Sequence, residues 1–330
     1  MKKSIFLFIS LFALISVTAV LAKTINNPKE FIMDTMKKYS TTGYHILHET
    51  SVAPCEYDTG DYTISTGSAD FMMYVDSREE TDIIHLLNLI VHEMCHDYTS
   101  RMIPVISKGS ILDFRGYFAF YIGDKETVLV KKTGTFKTFE MASSFPSDLK
   151  TFRFEQYIGT DGDNFGTQVN GIYGLLGEMN AYYHGTKAMM DMIPYFKNSM
   201  PRTRKTWEKY LENTGDSLFG CIEQKMFVLR YLLFAEKKHP EIYRDIIANK
   251  EFREAYTKID QNINSLLKRY GENIQEICGI LKNNGLDAKI SGGALYIGSS
   301  GIESFVSDRE KLLRELSGSE YARMKKILNK

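Results

Sequence analysis

The chain has 330 residues, 41 of them basic and 41 acidic, and is 43% hydrophobic, enough apolar content for a real core in one large domain or two. Without Lys2 and Lys3 of the N-terminal segment, 39 basic residues face 41 acidic ones, so the net charge is about −2 and nothing in the balance points to nucleic acid. Four widely spaced cysteines, Cys55, Cys95, Cys221 and Cys278, exclude a disulfide scaffold and allow at most a single bridge of unread connectivity.

Residues 1–22 read as a signal peptide. Lys2 and Lys3 give a positive start, an apolar run follows, and Ala22 closes it with a small residue where a signal would be cut. The uncharged run of residues 4–22 is also just long enough to stay in a bilayer. Its Ser10, Ser16, Thr18 and Ala19 favour cleavage, and no cysteine follows to carry a lipid. The expectation is a secreted or periplasmic chain with no membrane span beyond this segment.

Residues 31–39 predict a short helix. A turn-rich stretch around Pro54 leads to two candidate strands, 62–65 and 70–76, and then to a long helix from Ser77 or Arg78. In that helix Ile83, Leu86, Leu87, Ile90, Val91 and Met94 repeat at i, i+3, i+4 and i+7, the stripe of one buried face. His92 and His96 share a flank off the stripe, and Cys95 falls on the core side as a buried thiol. Residues 113–140 change texture to aromatic and β-branched runs broken by Gly-Asp and Thr-Gly, a β-rich insertion. The loop "DGDNFG" has a superficial calcium-loop look, but Phe165 stands where an oxygen ligand belongs.

Residues 171–193 predict a second buried helix carrying Glu178, Tyr182, Tyr183 and His184. Beyond Met200 the texture is helical, with helices expected over 203–212, 218–237, 240–258 and 262–283, a hairpin around Gly292-Gly293 and two short charged helices at the end. The expected organisation is therefore α+β: a catalytic domain over 23–200 with a small N-terminal sheet and the β-rich insertion, then a mostly helical domain over 201–330.

The segment "VHEMCHDYTS" carries the chemistry. His92 and His96 stand about 40° apart around the helix and one turn apart along it, so both imidazoles reach one metal ion. Glu93 lies beside that face as a general base, because zinc makes a bound water acidic near neutral pH. A catalytic zinc needs a third protein ligand, and no histidine follows within six residues of His96. Histidines 45, 48, 184 and 239 and several carboxylates are candidates.

Glu178 is favoured because its neighbours Leu175, Leu176, Met179 and Ala181 look buried, and a buried carboxylate needs a metal or a cation to stay charged. Gly171, Gly174 and Gly177 recur every third residue, a strip that lets this helix approach another closely. The alternatives are a Glu178 hydrogen-bonded by a tyrosine in a structural role, and His184 as the ligand. Asp97 is a candidate to orient an imidazole, and His85 to flank the cleft or the surface. Among Tyr182, Tyr183 and His184, Tyr183 is the candidate donor to the oxyanion of a tetrahedral intermediate.

With "VHEMCHDYTS" and "GLLGEMNAYYHG" together, residues 70–193 resemble the gluzincin-type zinc metallopeptidases. The resemblance implies zinc held by His92, His96 and Glu178, with Glu93 activating water to hydrolyse a peptide or protein substrate and then passing the proton to the leaving amine. The chain departs from the thermolysin-like branch in lacking Asn-Glu-x-x-Ser-Asp in the second motif. It departs from the aminopeptidase branch in the 81 residues between His96 and Glu178. The rival reading is a non-catalytic exported binding protein on the same scaffold, distinguished by whether a side chain plugs the metal's open position.

Overall fold

The computed structural model describes residues 23–58, 60, 63–111, 114–162, 165–201 and 203–330. The signal segment lies outside the described residues, as do Tyr62 and Asp113 at the starts of two expected elements and Asp163 and Asn164 of the calcium-like loop. The class is α+β as expected, with helices dominating and, among the described residues, three small separate antiparallel sheets.

Helix α1, Pro28–Tyr39, begins with Asn27 accepting from the Glu30 amide and Pro28 fixing the first turn. Helix α2, Thr41–Val52, follows at once because Ser40 caps it through the Gly43 amide. The sequence reading left this second helix as turn-rich chain. Its Thr-Thr-Gly start is poor helix former, and Gly43 is kept by packing: a Cβ there would stand 2.5 Å from Met36 Sδ.

The expected N-terminal sheet reduces to a hairpin of strands β1, Glu56–Asp58, and β2, Thr63–Ser65. Residues 70–76 do not join it. They form a tight 3-10 turn over Phe71–Tyr74, started by the Asp70 side chain accepting from the Met72 amide, so the expected strand is corrected to a turn with extended flanks. Helix α3, Glu80–Ser107, then runs the length of the core. Its Arg101 is buried and donates to the carbonyls of Ala53, Thr66 and Gly67, which fixes the hairpin's end on the helix.

The β-rich insertion is a single hairpin, β3 Tyr117–Gly123 with β4 Glu126–Lys131, turned at Asp124 and Lys125 with φ of 52° and 64°. From there to Ser144 the chain is extended and then 3-10 helical, not strand. One π-turn at Glu155–Gly159 closes with the Thr160 amide on the Glu155 carbonyl. A short helix α4, Gly166–Asn170, leads into α5, Ile172–Asp191, the second buried helix as expected, and α6, Ile193–Ser199, follows it.

Helix α7, Arg204–Lys238, is one element where two were expected. Residues 213–217, expected to separate them, are helical too; Thr214 donates back to the Tyr210 carbonyl, and a Cβ on Gly215 would stand 2.9 Å from the Tyr270 hydroxyl. For the next two helices, expected over 240–258 and 262–283, the break falls instead at Asn249, which ends α8, Pro240–Ala248, and caps α9, Lys250–Asn283, through the Phe252 amide. Strands β5 Ala288–Ser291, β6 Ala294–Ile297 and β7 Ser300–Gly301, then α10 Val306–Leu316 and α11 Ser319–Leu328, complete the chain.

Helix α5 lies between α3 and α7, and one apolar cluster runs through all three. The glycine strip serves two purposes. Gly174 admits α4, where a Cβ would stand 2.4 Å from the Gly166 carbonyl, whereas Gly177 faces open space. Gly185 lets α5 come close to α3, since a Cβ there would stand 2.5 Å from the Asn88 carbonyl. Gly185→Ala is therefore expected to destabilise the chain by about 1–3 kcal/mol through forced backbone separation. A urea titration of residues 23–330 checks this; an unchanged midpoint would mean that α3 and α5 do not meet there.

Candidate metal centre

Helical spacing on α3 brings the two motif histidines together. His92 Nε2 and His96 Nε2 lie 3.2 Å apart, with the rings edge to face. From α5, Glu178 Oε2 stands 3.6 Å from His92 Nε2 and 3.5 Å from His96 Nε2. Among the described residues this is the one group of three or more His, Cys, Asp or Glu side chains with ligand atoms so close, all within 4.8 Å.

The triangle fits a tetrahedral ion. Bonds of about 2.0–2.1 Å put neighbouring donors about 3.3 Å apart, beside edges of 3.2, 3.5 and 3.6 Å here. Glu178 Oε2 is also buried with no hydrogen-bond partner, the state in which a carboxylate calls for a cation. Burial pushes the Glu178 carboxyl up, but the His96 and His92 imidazoles outweigh it and hold the group well below the usual carboxylate range. Burial likewise lowers His96, and the Glu178 carboxylate, helped by Glu93 and Asp97, raises it overall.

Glu93 is half-buried one residue along from His92, and its charge acts on His96 and on Tyr74. Asp97 lies in the same field; burial raises its carboxyl against the pull of Arg101 and His96. Cys95 is buried as expected, its thiol pushed up by burial and by Glu178. All four cysteines are free, so the single bridge that the sequence allowed is not formed. A cavity of about 1050 Å³ borders the cluster, with His96 and Thr99 of α3, Gly177 and Glu178 of α5, and Tyr117 of β3 in its wall.

Tyr183, the expected oxyanion donor, is corrected by its position. It is buried on another face of α5 and lines a separate cavity of about 250 Å³ with Thr42, Asp124 and Arg269. His184 is no third ligand either: its Nε2 lies 2.7 Å from the Tyr121 carbonyl and its ring stacks on Tyr121. His45 packs on the other side of Tyr121, His48 faces Glu49, and His239 faces Glu140. His85 is buried edge-on to Phe196, not on a surface flank.

The tyrosine that reaches the cluster from α5 is Tyr182, whose ring stands 4.5 Å from the His92 ring. Its hydroxyl accepts from Arg153 Nε at 2.9 Å and lies 3.2 Å from the Tyr157 hydroxyl. Tyr157 rides on the π-turn, a local geometry found often at functional sites, and burial together with the neighbouring Glu178 carboxylate pushes its pKa up. Arg153 is buried and paired with Glu223 of α7 at 2.6 Å and with Asp216 at 2.8 Å. The sequence reading missed Arg153 and Tyr157, and no periodicity links them to Glu178.

Comparison with protein-family models, with curated proteins and with solved structures returned no match.

The buried histidines outside the cluster make a pH prediction. Burial lowers His85 to about 4 and His184 to about 3. As pH falls below the usual value near 6.5, the unfolded chain takes up these protons while the folded chain does not. Stability is thus complete above that value and falls by up to about 1.4 kcal/mol per pH unit per histidine as pH drops towards 4. Urea midpoints measured from pH 7 to 4.5 are expected to decline, and less steeply in His85→Gln; parallel slopes for the two chains would refute the buried neutral His85.

Proposed function

We propose that the chain is an exported zinc-dependent peptidase with a zincin-like catalytic scaffold. The observation that carries this reading is the His92–His96–Glu178 triangle beside an open cavity, with Glu93 next to it on the same helix turn. Zinc held by these three residues supplies a Lewis acid that polarises a carbonyl and makes water nucleophilic near neutral pH.

The chain's own residues do the rest. Glu93 takes a proton from the attacking water and returns it to the nitrogen of the leaving amine, so the carboxylate ends as it began. Glu178 would add the one negative charge to a set of two neutral imidazole donors, and its Oε2 is buried without another hydrogen-bond partner. Tyr157 and Tyr182 are positioning residues: one stands against the Glu178 carboxylate, the other braces the His92 ring, and Arg153 anchors both hydroxyls' network to α7. The cavity admits an extended chain beside His96 and Glu178, which favours an enzyme over a plugged binding module. Export is inferred from residues 1–22 alone. Among the described residues, no helix is long and apolar enough to cross a membrane.

Elemental analysis of residues 23–330 is expected to find one zinc per chain, lost in His92→Ala and in Glu178→Ala. Zinc retained in Glu178→Ala would remove Glu178 from the ligand set. Glu93→Gln is expected to keep the zinc and lose at least about a hundredfold in kcat on a mixed peptide substrate. Equal rates for Glu93→Gln and the parent chain would end the general-base assignment, and no hydrolysis by the zinc-loaded parent would end the peptidase reading.

A further inference from the structure

The wall of the 1050 Å³ cavity away from the cluster has a charge that the hydrolytic chemistry does not use. Two cations line it, Arg115 at the entry to β3 and Lys132 just past the end of β4. Among the described residues in that wall, Glu178 is the one carboxylate, and it is committed to His92 and His96. No ion pair joins either cation to a described carboxylate.

Lys132 is the more telling of the two. It is half-buried, and its ammonium donates to neutral acceptors, Asn170 Oδ1 at 2.9 Å and the Val169 carbonyl at 3.2 Å. These bonds hold the group in place while leaving its charge without a partner, and burial lowers its pKa with no opposing anion. Around it the wall is aromatic: Phe118 stacks on Tyr173 at 5.5 Å, with Phe114 and Tyr117 alongside. Such walls displace water and strengthen a charge contact made between them. The floor beside Glu178 is clear, because Gly177 leaves open space where a side chain would stand.

We infer that this cavity selects peptides by a carboxylate, received by Lys132 with Arg115 at the rim, from an acidic side chain or a free C-terminus. The inference rests on the peptidase reading for its substrate class. A carboxylate replaces the missing counter-charge on Lys132, adds a charge-assisted hydrogen bond through the ammonium's third proton, and sets the register of the chain relative to the zinc ligands.

The test uses zinc-loaded residues 23–330 carrying Glu93→Gln, so that binding is measured without turnover. Three fluorescently labelled pools of random hexapeptides differ at one point: a fixed central Gln with an amidated C-terminus, a fixed central Glu with the amide, and the central Gln with a free C-terminal carboxylate. Fluorescence anisotropy is expected to give one carboxylate pool a Kd about tenfold lower than the neutral pool. That preference is expected to shrink in Arg115→Gln, vanish in Lys132→Met and weaken with added salt.

Which carboxylate pool binds tighter identifies the source of the charge. Arg115 is exposed, so its substitution does not endanger the fold, and retained zinc content checks both variants. Equal affinity for all three pools, or a preference that survives in both variants, overturns the inference and leaves the peptidase reading standing. Failure of every pool to bind, together with no cleavage by the Glu93 chain, is a separate outcome that removes the peptidase reading and this inference with it.

Discussion

A carboxylate taken out of water between two imidazoles is the constraint that organises this molecule. Glu178 sits on the central helix α5, and its Oε2 is buried without a hydrogen bond. A group in that position is tolerated only when positive charge is fixed close to it, because desolvation alone would neutralise it. His92 Nε2 and His96 Nε2 stand 3.6 and 3.5 Å from that oxygen, across the contact between α3 and α5. Gly185 permits the contact by letting α5 lie directly on the Asn88 carbonyl. Backbone proximity and site chemistry are therefore one requirement seen at two places along the same helix.

What the sequence discloses about this site follows the range of the interactions. His92, Glu93 and His96 are legible because their relation is a property of one helix turn. Glu178 is legible one step less directly, from a carboxylate in a strongly apolar helix. Tyr183 fails for a reason that the same periodicity contains. Tyr182 is four residues after Glu178, about 40° around α5, whereas Tyr183 is five after it, about 140° around, and so faces another cavity. Arg153 and Tyr157 were out of reach, since a π-turn has no hydrophobic period and their partners lie on other elements.

Element boundaries show the same division. Residues 70–76 are an apolar and aromatic run bounded by two aspartates, as a short strand would be, yet the Asp70 side chain accepts from the Met72 amide and turns the chain. Gly215 lies inside α7, where the Tyr270 hydroxyl takes up the space a side chain would need, so the glycine is matched to packing rather than to a helix end. Asn249 does break the helix, because its side chain caps α9. At Asp70 and at Asn249 a single bond from a backbone amide to a side-chain oxygen decides the local conformation.

The Arg153 network explains why a helix as remote in sequence as α7 bears on the cluster. Arg153 is nearly sealed from water and meets two carboxylates, Glu223 with no exposure and Asp216. Removing Arg153 or Glu223 leaves its partner's charge buried, at a typical cost of about 3–5 kcal/mol, whereas the half-exposed Asp216 contributes less. The Arg153 Nε proton goes to the Tyr182 hydroxyl, and that ring stands edge-on to His92. Orientation thus passes from α7 through Arg153 to Tyr182 and on to the imidazole. The Tyr182 ring and the His96 imidazole both stand edge-on to the His92 ring, so its orientation is set from α5 and from the next turn of α3 together, with Arg153 holding the tyrosine's far end.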